Sequence, residues 1–268
     1  MTKVDLHTHH YRCGHASGDI HDYIEAAISQ GFVQIGITDH NPFFHKEEDD
    51  GFPGMVMKKS EFSAYIGAMK QAQAKYADKI EVLLGVEGDY FEGHTDVYKS
   101  AFKEAGLDYY IGAVHYVNGK HIFDKTRWSD PSVDVEKELL DYYTLTYQMV
   151  AEDFGDIVAH MDALKAFAPA ISSKLVDEKL DQIIQLIGET KKTVEINTSG
   201  LRKCKELFPS KAVIKKLAES GASFTFGSDS HDPKEVGYEY DYVAGVLKGV
   251  GVTEWAVFRQ GKREFVEI

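Results

Sequence analysis

Nine side chains in this sequence are of types that hold divalent transition-metal ions: His7, His9, His15, His40, Glu87, His115, His160, Asp229 and His231. They fall in seven separate segments, most of them short apolar runs with the ligand-type residue at the end. A ring of parallel strands would deliver all of them to one rim, and a rim so lined has room for two to three cations. Imidazole mixed with carboxylate suits Zn²⁺, Mn²⁺, Fe²⁺ or Co²⁺, and the sequence does not choose among them. Clustered cations serve hydrolysis: they neutralise oxyanions and make hydroxide available near neutral pH.

The spacing supports this reading segment by segment. Asp5, His7 and His9 alternate, so in a strand all three point to one face. The two imidazoles can grip one ion, and Asp5 is expected to accept the remaining ring N–H of a ligating histidine. His15 follows in the glycine-rich loop Cys13–Gly18. Asp39 and His40 close the apolar run from Ile35; His40 is read as the ligand and Asp39 as its support. Glu87 ends the run from Val82, and a carboxylate, unlike an imidazole, can bridge two ions. His115 and His160 end the runs from Ile111 and Ile157, and Asp229 and His231 again show period two. Any one of these could be a hydrogen-bonded side chain at a strand end. Chance would also have placed Leu or Val there, because barrel interiors favour bulky branched residues. His10, His21, His45, His94 and His121 fit no such pattern and are read as surface or structural.

The elements that must position these residues alternate along the chain. Strands are expected at Val4–His9, Gln34–His40, Glu81–Asp89, Tyr109–Val117, Asp156–Asp162, Thr193–Thr198 and Ser223–Asp229. Helical apolar spacing marks Ile20–Gln30, Glu61–Ala77, Thr95–Ala105, Asp134–Phe154, Ser173–Lys192 and Ser210–Ser220. Repeated βα units imply a mostly parallel sheet, and seven of them without a break in composition imply one barrel domain spanning 1–268. The stretch Asn41–Lys59, with Pro42, Pro53 and the acidic run Glu47–Asp50, is either a lid or a solvated surface loop. Trp255–Ile268 reads as a closing hairpin.

The chain has 268 residues, 43% hydrophobic and 27% charged, with a formal net charge of −13. That balance argues against binding to nucleic acid or to an anionic membrane. Two cysteines, Cys13 and Cys204, fit a reducing compartment; the N-terminus has no signal-peptide pattern, and no apolar stretch is long enough for a membrane span. A cytoplasmic location is expected.

The motifs Asp5-x-His7-x-His9, Thr38-Asp39-His40, Gly85-x-Glu87, Val114-His115, Ala159-His160-Met161-Asp162 and Gly227-Ser228-Asp229-Ser230-His231 together resemble the PHP (polymerase and histidinol phosphatase) superfamily. Glu195–Lys203, Leu207–Ser210 and Gly85–Tyr90 are similar to its histidinol-phosphatase branch. The resemblance implies a distorted (β/α)7 TIM-like barrel with a trinuclear metal site at the C-terminal rim of the strands. Carried over, His7, His9, Glu87 and Asp229 would hold the first metal. Glu87, His115 and His160 would hold the second, and His15, His40 and His231 the third. Arg12, before His15, departs from the expected pattern of a small or uncharged residue.

The activity so implied is hydrolysis of L-histidinol phosphate, a small phosphate ester, in histidine biosynthesis. The nucleophile would be a metal-bridging hydroxide held by Glu87, with His7, His9, His115 and Asp229. Arg202 is expected to grip the phosphate, since guanidinium matches it bidentately, with Lys203 beside it; the bland alternative is a surface arginine at a helix start. Tyr116 and Asp162 are candidates for the organic half, with Tyr90 and Glu92 behind them. Another small phosphate ester or nucleotide is the alternative substrate, and a non-catalytic metal-stabilised scaffold the alternative role. An amidohydrolase-type barrel would want a strand-end lysine, which is absent.

Overall fold

In the computed structural model, which describes residues 2–268, parallel strands alternate with helices over most of the chain. Strands β1 (Val4–Asp5), β2 (Gln34–Ile37) and β3 (Glu81–Leu84) form one parallel sheet in that order. Strands β4 (Glu87–Asp89), β5 (Ile111–Ala113), β8 (Ile157–Val158), β9 (Thr193–Asn197) and β10 (Ser223–Gly227) form a second, ordered β10-β9-β8-β5-β4. Between β5 and β8 lies a small hairpin, β6 (Tyr116–Val117) with β7 (Lys120–His121). The chain ends in a second hairpin, β11 (Glu254–Arg259) with β12 (Lys262–Glu267).

The expected ring is thus two parallel sheets rather than one closed ladder. At one seam β3 and β4 are consecutive, joined through Gly85-Val86, with His40 bridged to Glu87 across the break. At the other, Leu6 N–H donates to Phe226 O at 3.0 Å and Asp229 N–H to His7 O at 2.8 Å. Every strand is shorter than its apolar run. β1 stops before His7, β2 before His40, β5 before His115, β8 before His160 and β10 before Asp229. Apart from Glu87, which opens β4, the ligand-type residues lie just past the ladder ends, where the chain bends towards the centre instead of continuing the pairing.

Helices α1 (Ile20–Ser29), α2 (Lys59–Tyr76), α3 (Thr95–Ala105), α4 (Val135–Ala151), α5 (Lys174–Thr190) and α7 (Lys211–Ser220) agree with the periodicity to within three residues. Their starts are fixed by side-chain caps: Asp19, Asp134, Ser173 and Ser210 each accept a backbone N–H of the first turn. Helices α6 (Ser199–Cys204) and α8 (Tyr240–Gly249) were not legible as elements. No helix among the described residues is long and apolar enough to cross a membrane.

One contiguous apolar cluster underlies both sheets. Tyr109 runs through it, and its hydroxyl donates to Leu6 O at 2.6 Å. A side chain at position 36 would collide with that hydroxyl, so Gly36 is required for Tyr109 to cross.

Candidate metal centre

The nine ligand-type residues converge at the ends of the parallel strands. His7 Nε2 and His9 Nε2 lie 3.0 Å apart. Glu87 Oε2 is 3.3 Å from the first and 3.5 Å from the second; Asp229 Oδ1 is 3.8 and 3.2 Å away. The other Glu87 oxygen faces His115 Nε2 at 3.4 Å and His160 Nε2 at 2.9 Å. His40 Nδ1 is 3.2 Å from Glu87 Oε2, and its ring lies 5.3 Å from that of His15. His15 Nε2 and His231 Nε2 approach to 3.0 Å. Glu87 therefore sits at the middle of the cluster. His7, His9, Glu87, His160 and Asp229 are buried, and His15 and His231 stand at the outer edge.

Hydrogen bonding on the far side of each ring shows what the near side can do. His15 Nδ1 faces the carbonyls of Cys13 and Gly54, at 3.3 and 3.2 Å, and His231 Nδ1 faces Asp229 O at 3.1 Å. A carbonyl only accepts, so in the neutral rings both protons sit on Nδ1 and two bare Nε2 lone pairs oppose each other. His7 Nδ1 likewise donates to Glu195 at 2.5 Å, and His115 Nδ1 to Asp89 at 2.7 Å, so each Nε2 faces Glu87, bare in the neutral ring and protonated in the imidazolium that the surrounding carboxylates favour. Lone pairs turned on lone pairs and on carboxylates repel unless a cation lies among them. The residues present fit divalent cations with nitrogen and oxygen ligands. Groups of three such atoms that could hold one ion include His7, His9 and Asp229, and His9, His40 and His231.

The electrostatics point the same way. Burial opposes the imidazolium of His7, yet Glu195, Glu87 and Asp229 around it hold its pKa well above the usual value. His115 is pushed up to about 9 against its burial by Glu87 and Asp89. Burial would raise the carboxyls of Glu87 and Asp229; neighbouring His115 and His7, and for Asp229 first Lys203, bring both well below the usual range. At the outer edge burial dominates and keeps His231 neutral, with a pKa of about 3. The inner pocket has surplus negative charge and so draws positive charge.

Local backbone supports the geometry. Asp229 adopts φ of 50°, the left-handed region, which turns its carboxylate back over His7 and His9. Such a conformation costs a non-glycine residue about 1 kcal/mol or more and is held by its surroundings. Asn197 Nδ2 and Ser199 Oγ both donate to Asp229 Oδ2, at 3.2 and 2.8 Å.

The roles around the ligands differ in part from expectation. Asp5 accepts no ring N–H; it takes the backbone N–H groups of His7, Ser228 and Gly237. β1 ends at Asp5, so its carboxylate meets the start of the next turn instead of a ring. Glu195, buried in the middle of β9, takes the place proposed for Asp5. Asp39 Oδ1 lies 3.4 Å from His9 Nδ1, and its other oxygen pairs with His10. His10 is accordingly a buried structural residue; its Nε2 meets Arg12, whose guanidinium also covers the Tyr11 ring.

Above the cluster opens a cavity of about 720 Å³. Arg202 and Lys203 line it, as does His121, which sequence reasoning set aside. Phe52 and Met55, from the stretch 41–59, form part of its wall. Tyr116 does not line it; its ring packs between Phe43, Phe52 and Phe91. Asp162 does not line it either: Lys165 and the Ser210 N–H occupy its Oδ2, at 2.7 and 2.9 Å. Tyr90 is buried in the core and donates to Glu152, and Glu92 accepts from Gln148; neither lines the cavity.

The PHP domain family matches residues 5–199. The chain belongs to the PHP domain family. Within that family it is 29% identical to a protein of Schizosaccharomyces pombe named "Probable histidinol-phosphatase", over 96% of this chain and 90% of the relative. A protein of the same name from Deinococcus radiodurans is also 29% identical, over 92% and 93% of the two chains. The fold is shared with the histidinol phosphate phosphatase of Lactococcus lactis, at a TM-score of 0.81 and 20% identity over 98% of this chain and 99% of that one. The Lactococcus protein was crystallised with zinc, L-histidinol and phosphate. The PHP match ends at Ser199, so Asp229 and His231 complete the cluster from beyond it.

Proposed function

We propose that this chain is a metal-dependent phosphomonoesterase that hydrolyses L-histidinol phosphate to L-histidinol and phosphate. The observation that carries the reading is the facing set of bare imidazole nitrogens and carboxylates on the floor of a cavity that Arg202 and Lys203 also line. The names of the curated relatives agree with it. We read His7, His9, Glu87 and Asp229 as the first metal site, Glu87, His115 and His160 as the second, and His15, His40 and His231 as the third. We also read the two sheets as a distorted (β/α)7 barrel, counting β3 and β4 as one strand, and residues 1–268 as one domain. The seam hydrogen bonds and the single apolar core support this.

Divalent cations held there would supply Lewis acidity and a hydroxide nucleophile near neutral pH. The chain's own residues do the rest. Glu195 and Asp89 hold His7 and His115 in the tautomer that presents a bare Nε2. Arg202 is anchored through Nη2 to Ser228 O and Asp229 O, both at 3.1 Å, while its Nη1 has no protein partner. Nη1 is buried, so we assign the phosphoryl oxygens to the cavity-lining cations as side chains, Arg202 and Lys203, with Lys203 Nζ 3.9 Å from Asp229 Oδ2. Glu235 Oε2 lies 3.3 Å from Arg202 Nη2 and is engaged by it, which leaves Asp124 as the cavity carboxylate for the substrate's ammonium. The ester P–O bond breaks in line with the new one, and the departing alkoxide takes a proton from water.

The test is phosphate release from L-histidinol phosphate beside a panel of other monoesters, with Mn²⁺ or Zn²⁺ and with a chelator. The reading expects the highest kcat/KM on histidinol phosphate and loss of turnover on chelation, restored by added metal. Equal rates across the panel reject the substrate, and turnover surviving chelation with no metal bound rejects the centre.

Arg202→Ala is expected to raise KM for the phosphate ester about ten-fold or more, in line with hydrogen bonds to a charged group. Metal content measured by mass spectrometry should change little. An unaltered KM would exclude the guanidinium from phosphate binding.

A further inference from the structure

His121 stands on a short device that leaves it little freedom. Residues 116–121 make a tight hairpin in which Asn118 and Gly119 have φ of 51° and 74°, the pair of positive values that a two-residue hairpin turn needs. The buried Arg127 clamps this hairpin: its Nη2 donates to Val117 O at 2.9 Å and to Lys120 O at 2.7 Å. Just past the turn, Ile122 N–H donates to His115 O at 2.8 Å. The His121 ring then lies parallel to that of His115, with centroids 5.5 Å apart, and edge-on to Tyr116 at 5.3 Å.

The tautomer follows from one bond. Phe123 N–H donates to His121 Nδ1 at 3.2 Å, so Nδ1 carries no proton and Nε2 carries the only one. Nε2 has no protein partner among the described residues, and the side chain lines the cavity above the cluster. A rigid, neutral N–H donor is thus displayed in the cavity beside the aromatic faces of Phe52 and Phe123. Arg202 and Lys203, by contrast, form its cationic part. Lys203 Nζ, 4.7 Å from the Phe123 ring centre, marks where the two parts meet.

We propose that His121 is a specificity-determining residue that donates its Nε2–H to a ring nitrogen of the substrate's organic half. A flat heteroaromatic ring with an exposed lone pair suits an aromatic wall carrying one fixed donor, and an ammonium, which can only donate, does not. The imidazole of histidinol is such a ring. The inference rests on the function proposed above, and its test separates the two.

Two variants divide the side chain's atoms. His121→Asn keeps a polar atom near Nδ1 for the Phe123 N–H but loses the donor at Nε2. His121→Gln keeps a donor near Nε2. For the wild type, kcat/KM is measured on L-histidinol phosphate and on p-nitrophenyl phosphate, and product inhibition with L-histidinol and with inorganic phosphate. His121→Asn should raise KM for histidinol phosphate and the inhibition constant of histidinol about ten-fold. Inhibition by phosphate, kcat/KM on p-nitrophenyl phosphate and metal content should stay within about two-fold. His121→Gln should recover most of the loss. Equal losses on both substrates, or none on either, overturn the inference while leaving the phosphatase reading intact. A wild type that does not prefer histidinol phosphate overturns both.

Discussion

Glu87→Gln abolishes phosphate release, with kcat reduced by at least about a thousand-fold, and empties the centre of bound cations while the protein stays folded. The expectation follows from the number of partners this one carboxylate serves. One oxygen faces His7, His9 and His40, and the other faces His115 and His160. Glutamine has the same shape but replaces one oxygen with an NH₂ group, which can neither bridge two cations nor accept from anything. The metal-free variant should also melt at a lower temperature, because His115 and His7 lose the buried carboxylate whose pKa they hold well below the usual range. Metal content by mass spectrometry, turnover and the thermal midpoint with and without chelator separate these effects. A variant that keeps its metals and a tenth of wild-type turnover would falsify the central role of Glu87.

Glu195→Gln comes next, with metal affinity or activity lowered about 10–100-fold. Glu195 Oε1 fixes the His7 tautomer, and Oε2 accepts from His160 N–H at 3.1 Å and Asn197 Nδ2 at 3.0 Å, so one buried side chain braces two of the proposed ligands. The amide can accept on one side only and would turn a donor on either His7 or the His160 N–H. Gly227→Ala provides an independent arm. A methyl group there would overlap the Glu195 carboxylate and come within 2.8 Å of His7 Cβ, so it should displace the pair and reproduce the loss. Metal titrations on both variants are the measurement. If both bind metal as tightly as the wild type, Glu195 is a packing residue and nothing more.

Glu87, Asp229 and most of the histidines were legible because they close apolar runs where a barrel interior would otherwise place a branched hydrocarbon, whereas His15 lies in a glycine-rich loop and was placed by its nearness to His9 in sequence and by the family resemblance. Glu195 gave a signal that went unused: a charged residue inside the apolar run of β9 has to be buried with a partner. Asp89 gave another, since it lies two residues beyond Glu87 and so on the same face of β4. Asp5 was misread for the converse reason. Period-two spacing puts it on the face of His7 and His9 only while the strand is regular, and the ladder ends at Asp5 itself. The break of the expected ring into two sheets was invisible, because seam hydrogen bonds join backbone atoms and leave no mark in side-chain type. The role of His121 could not be read locally either. The Asn118-Gly119 pair is a turn signal that went unread, and the cavity beside it is walled by Phe52 and Arg202, far away in sequence.

The outermost ligand pair has a thermodynamic consequence. His15 is oriented by a carbonyl of Gly54, and Gly54 sits between Phe52 and Met55 in the segment that walls the cavity. An ion that draws His15 towards His231 therefore favours the same placement of that segment as a substrate resting against Phe52 does. By linkage each must strengthen the other's binding by an equal factor. On the proposed three-site reading, dialysis that depletes only an ion held by His15, His40 and His231 should first appear as a weaker grip on substrate.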